Sequence, residues 1–222
     1  AFNADSSNFV IVERHAHLGL WPITMSDERL AVIKETALLW ENRPRTYEDT
    51  AAGMQATLDL AKQMADRLRR DLAAAVVLAQ ERSYWQSRSQ AAQVQKQKQD
   101  QLALGWANHK HHVFRSSRPH FQKLIAIFET LGFVCREKFY AGVEAGWGAQ
   151  ILKHPTSNLV LFADVDLAPT EADIDFAHLP LPPLPQPGIV ELWCASHGQS
   201  ILGAGMHHLA VQCDFDVFRV LI

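Results

Sequence analysis

The chain has 222 residues, of which 48% are hydrophobic and 20% charged, so it can bury a core and is not disordered throughout. Lys and Arg number 21 against 24 Asp and Glu, a formal charge of −3. Neither half carries the basic excess that phosphate backbones demand, which argues against nucleic acid as a partner. No run approaches the roughly 18 to 20 apolar residues of a spanning helix, and the N-terminus lacks the basic-then-apolar order of a secretion signal. Three cysteines, Cys135, Cys194 and Cys213, show no CxxC spacing and make an odd count, which fits the cytoplasm or an organelle interior. The chain starts at Ala1, so an upstream piece that was processed away or left out is expected.

Phe9-Val10-Ile11-Val12 reads as a strand or extended arm. A helix is expected from Ser26, which can cap it, with Leu30, Ile33, Ala37 and Leu38 on one face and Pro44 stopping it. Thr46 and Asp49 have capping-box spacing and open a second, longer helix. Met54, Leu58, Ala61, Ala65, Leu68, Leu72, Ala75 and Ala79 recur at alternating steps of four and three, a seam that needs a partner helix. The partner is either another segment of this chain or a second copy, giving a helical hairpin or a coiled-coil homodimer or larger assembly. Residues 86–101 contain seven Gln and few apolar residues, as in a solvated helix or linker.

Beyond Trp106 the pattern shortens to β-prone runs at 111–116, 148–153, 158–164, 189–194 and 207–213, with one helix at 119–131. Residues 141–148 read as a Gly-rich turn, and five Pro in 179–188 as an extended connection. The fold class is therefore α+β, with a helical region over 1–105 and a sheet-bearing domain over 106–222.

His111-His112-Val113-Phe114 aligns with His207-His208-Leu209-Ala210, and Phe121, Leu124 and Ile125 then fall over Val217, Val220 and Leu221. Each segment reads as a strand feeding a helix, so a βαβββ module is followed by the start of another. This order resembles the vicinal oxygen chelate superfamily of glyoxalases, bleomycin-resistance proteins and extradiol dioxygenases. Three motifs carry the resemblance: Phe128-Glu129-Thr130-Leu131-Gly132-Phe133, Ile189-Val190-Glu191-Leu192-Trp193 and His208-Leu209-Ala210-Val211-Gln212-Cys213-Asp214. It covers about half of the chain.

The resemblance implies a cup holding a divalent metal (Fe, Mn, Ni, Co or Zn) on His112, Glu191 and His208, with Glu191 the catalytic carboxylate. Imidazole and carboxylate suit such ions, and a position left to water admits a small substrate with two oxygens. Strand alternation favours His208 over His207; for the first strand, His112 follows from the repeat, whereas Phe114 and Arg115 also fit a register with His111 facing the cup. Arg115 is the candidate for an anionic substrate group. The second module stops at Ile222, so the family's sixth to eighth strands and fourth ligand are not in this sequence.

Competing readings are plain. Either histidine of a pair can be a hydrogen-bonded core imidazole. Glu191 can be an exposed strand carboxylate, and Asp164 and Asp166 solvent-facing or loop-capping. His109, His154 and His197 read as surface residues, and Cys194 and Cys213 as core fillers. No GxSxG, GxxxxGK[ST], HExxH or strand-borne GxGxxG is present. Two functions follow: a glyoxalase-like lyase or isomerase, or a dioxygenase, acting on a small oxygen-bidentate substrate; or a non-catalytic binding or assembly subunit on the same fold.

Overall fold

The computed structural model describes residues 2–4, 7–9, 25–101 and 109–211. A short antiparallel hairpin pairs β1 (Phe2–Ala4) with β2 (Ser7–Phe9). The arm expected over Phe9–Val12 lies largely outside the described residues, as do Cys213 and the second module's helix with Val217, Val220 and Leu221.

Helix α1 (Asp27–Glu41) starts where expected, with Ser26 Oγ accepting from the Arg29 amide at 3.3 Å. Its buried face differs from the expected one: Thr36 and Trp40 turn inward, while Leu30 and Leu38 are exposed. Asp49 rather than Thr46 caps α2 (Thr50–Leu68), accepting from the Ala51 amide at 2.9 Å. Met54, Leu58, Ala61 and Leu68 are buried as the seam requires. The seam ends at Arg69, whose φ of +66° breaks the helix. In α3 (Arg70–Arg88) the buried set is Ala73, Ala74, Val77, Leu78, Glu81 and Trp85, and Ala75 of the expected seam is exposed. α2 and α3 pack on each other and both pack on α1, so partners within the chain take up the seam. The Gln-rich segment is helical, as α4 (Gln90–Gln101).

The sheet follows the helices, as an α+β chain predicts. β3 (His109–Arg115) leads through α5 (Arg118–Thr130) to β4 (Val134–Tyr140), β5 (Trp147–Lys153) and β6 (Val160–Asp166). β7 (His208–Val211) completes a five-stranded mixed sheet in the order β4-β5-β6-β3-β7. β3 runs parallel to β6 and antiparallel to β7. Two elements depart from expectation. Residues 134–140 form a strand, and 189–194 belong to a helix, α6 (Ile189–His197).

α5 lays Phe121, Leu124, Ile125 and Phe128 on one sheet face, against Phe114, Leu152, Leu161, Ala163 and Val165. α2 packs behind α5, so the apolar core runs continuously across residue 105. The proline-rich stretch is held by Arg118, which is buried. Its Nε donates to Pro182 O at 2.7 Å, and its Nη1 and Nη2 donate to Glu171 at 2.8 and 2.7 Å.

Candidate functional site

Strand alternation and pairing decide where each candidate ligand sits. Phe114 and His112 share one face of β3 and are buried on the side of the helices; His111, Val113 and Arg115 share the other. His112 Nε2 lies 3.1 Å from Arg82 Nη1 of α3. Across the next ladder, Val113 pairs with His208 and His112 with Leu209. Leu209 is in the core, so His208 faces away from His112. The expectation that His112 and His208 share a metal is corrected by this register: they occupy opposite faces.

The open alternative describes the arrangement. His111 and His208 share a face, with ring centroids 5.9 Å apart. His111 also packs on Phe162 of β6 in a tilted arrangement at 4.4 Å, and His207 lies edge-on to His208 at 4.9 Å. The β3–β6 register sets Arg115 opposite Asp164, and Arg115 Nε lies 3.5 Å from Asp164 Oδ2.

Glu191 is not on a strand. Gly188 precedes α6, and Asp166 at the end of β6 supplies its cap, Oδ1 and Oδ2 accepting from the Val190 and Glu191 amides at 2.9 and 2.7 Å. A Cβ on Gly188 would stand 2.3 Å from the Asp166 carboxyl carbon, so glycine is needed there. The carboxylate satisfies free amides and meets the positive end of the helix. This long-range cap turns a stretch that reads as a strand into a helix burying Val190 and Cys194, four residues apart. Glu191 thus lies in its first turn, half-buried. Asp164 and Asp166, expected at the surface or as loop caps, are both buried, and only Asp166 caps.

α6 crosses the histidine face. Trp193 stacks on His197 at 5.0 Å, meets His207 edge-on at 5.3 Å and lies under the Arg115 guanidinium at 5.6 Å. Beside it a cleft of about 280 Å³ is lined by Trp85, Arg88, Trp193, His197, Met206 and His207 among others. His197 is exposed as expected, whereas His154 is buried, 3.8 Å from Asp71. The side chain of His109 lies outside the described residues.

Electrostatics on this face favour neutral imidazoles and a proton-holding carboxyl. Burial, then Arg115, His208 and His197, pushes the His207 imidazole down to about 4. Partial burial and Arg115 also lower His208, although the residue is exposed. Asp164 is pushed up to about 7, because burial outweighs a single long contact with Arg115. Cys194 is unbridged and raised to about 12 by burial, which fits a core filler rather than a nucleophile.

Among the described residues, one group of three brings metal-binding atoms within 4.8 Å of one another, and it lies elsewhere: Glu129, Cys135 and His178. No sequence spacing signals it, since His178 is more than forty residues from its partners. Among the described residues no helix is long and apolar enough to cross a membrane. No family model, curated protein or solved structure matches the chain.

Proposed function

We propose that the chain is a metal-dependent enzyme of the vicinal oxygen chelate type, with its metal on His111 and His208 and its substrate held by Arg115. One observation carries the reading: β3 and β7, whose His111-His112 and His207-His208 align in the sequence, lie side by side, with His111 and His208 on a common face. Burial and Arg115 lower His208, which favours the neutral imidazole that a metal needs.

A divalent metal there would supply Lewis-acid polarisation of a carbonyl or hydroxyl oxygen. Arg115 presents a cation to an anionic oxygen of a small α-oxo, α-hydroxy or diol substrate. Asp164, 3.5 Å from Arg115 and pushed up to about 7 by burial, is the group assigned to move a proton between the carbons of such a substrate. Glu191, in the first turn of α6, is assigned no ligand role. The test is metal content of the chain purified and reconstituted with Fe, Mn, Ni, Co or Zn in a Cys135→Ser background. Near-stoichiometric metal that is lost in His208→Ala and in His111→Ala supports the reading; equal metal in all three proteins refutes it.

A second reading, a non-catalytic binding or assembly subunit, is favoured by the unpartnered leucines of α1, Leu30, Leu38 and Leu39. Under it the purified chain carries no metal and self-associates, and Leu38→Glu with Leu39→Glu returns it to monomer in sedimentation.

A further inference from the structure

α5 ends at Thr130, and the chain reverses through Gly132, whose φ is +92°, with the Phe133 amide donating to Phe128 O at 3.1 Å. This tight reversal returns the chain along the edge strand β4, so that Cys135 Sγ stands 3.8 Å from Glu129 Oε1 on the last turn of α5. A third group arrives from far along the chain. The turn at 175–179 is closed by the His178 and Leu179 amides donating to Asp175 O at 3.1 and 2.9 Å. It is fastened to α5 by Phe176 against Phe121 and by Gln122 donating to His178 O, and to β4 by Lys138 donating to Asp173 O and Ile174 O. So placed, His178 Nε2 lies 3.0 Å from Glu129 Oε1, while its Nδ1 lies 2.9 Å from Asp175 Oδ2.

We propose that Glu129, Cys135 and His178 form a binding site for a tetrahedral divalent ion of the zinc class, with Asp175 orienting the histidine. Nitrogen, sulfur and oxygen donors at about 2.0–2.3 Å from a tetrahedral ion stand about 3.3–3.8 Å from one another. The Glu–Cys separation of 3.8 Å meets that edge, and the Glu–His separation of 3.0 Å needs a few tenths of an ångström of opening. All three donor atoms fall within 4.8 Å. A carboxylate behind the non-ligating nitrogen fixes ring orientation and raises basicity, which is the position of Asp175. Glu129 and His178 are partly open to solvent, leaving the fourth position to water or an added ligand. Glu129 and Asp175 raise His178 above its ordinary value, and burial and Glu129 push Cys135 up to about 12. Ion binding takes the thiolate and the neutral imidazole, so it releases the thiol proton and strengthens as pH rises. The site lies at the far edge of the sheet from β7 and does not depend on the histidine face.

The test is cobalt(II) titration of the full chain. The expected result is a saturable sulfur-to-cobalt charge-transfer absorption with the strong visible bands of tetrahedral cobalt, both displaced by zinc. Cys135→Ser abolishes the charge-transfer band, His178→Ala weakens binding at least tenfold, and Asp175→Asn weakens it about 10- to 100-fold. A titration without the thiolate band, or one unaltered by Cys135→Ser, overturns the proposal. A measurement on the unmodified sequence runs beside it: zinc slows alkylation of Cys135 at least tenfold by peptide mass spectrometry, and an unchanged rate overturns the proposal equally.

Discussion

Replacing Glu81 with Ala tests how the helical region is locked to the sheet-bearing half. The Glu81 carboxylate is fully buried and accepts from Trp40 Nε1, Arg43 Nη2 and Arg45 Nη2, each at 2.7 Å. The same arginines donate onward, Arg43 to Ile201 O at 2.7 Å and Arg45 to Leu202 O at 3.2 Å, so one anion ties α1, α3 and the loop before β7. Burial pushes Glu81 up, but the two arginines outweigh it and hold the carboxyl below its ordinary value. Removing the anion leaves two buried guanidiniums uncompensated and the Trp40 indole without its acceptor, a change that typically costs about 3–5 kcal/mol. For a domain of this size each kcal/mol shifts Tm by about 2–4 °C, so a fall of roughly 6–20 °C is expected. Circular dichroism and tryptophan fluorescence, to which Trp40 contributes, should report coincident transitions. Arg67 and Glu35 form the comparison pair: their side chains are 30% and 60% exposed, so Glu35→Gln should cost under about 1 kcal/mol. A Glu81→Ala loss no larger than that of Glu35→Gln would refute the assignment of Glu81 as the hub.

Arg118→Ala should cost about 1–3 kcal/mol by leaving Asp166 O and Pro182 O without their donor, and should expose the 168–188 segment to limited proteolysis; unchanged cleavage would contradict the anchoring role. Arg69 holds φ +66° and ψ 156°, a region natural to glycine, so Arg69→Gly should raise stability by about 1 kcal/mol in urea titration. Asp164 at about 7 lies above its unfolded value of about 4, so the native state binds the extra proton between them. Stability should fall as pH rises from about 4 to about 7, by at most about 4 kcal/mol, and level off above; Asp164→Asn should remove that slope. His178 is also raised, so its contribution is full below about 6.5 and is lost as pH rises through its native value; His178→Ala should flatten stability there.

Elements whose signals are local were legible in the sequence. Ser26 caps α1 within a few residues, and α1, α5 and β5 lie where a helix from Ser26, a helix over 119–131 and a β-prone run over 148–153 place them. β4 escaped because it is an edge strand with most of its side chains in water, so it shows no alternation. Residues 189–194 read as a strand because their apolar neighbours suit one, whereas the deciding interaction is the Asp166 carboxylate of another element accepting from the Val190 and Glu191 amides. The seam past Leu68 failed at Arg69, where no glycine marks the left-handed break. For the site, the sequence narrowed β3 to two adjacent histidines and left the choice to register. Pairing of Val113 with His208 selects His111, because a shift of one residue moves a side chain to the opposite face. Asp164 and the Glu129–Cys135–His178 group carry no local signal, since burial and long-range approach create them.

The most direct test of the account is pulsed electron paramagnetic resonance of copper(II) bound to the chain in a Cys135→Ser, His178→Ala background, counting coordinated imidazoles. Two imidazoles are predicted, falling to one in His111→Ala and to one in His208→Ala. A count that neither substitution changes, or no bound copper at all, would contradict a metal shared between the two strands.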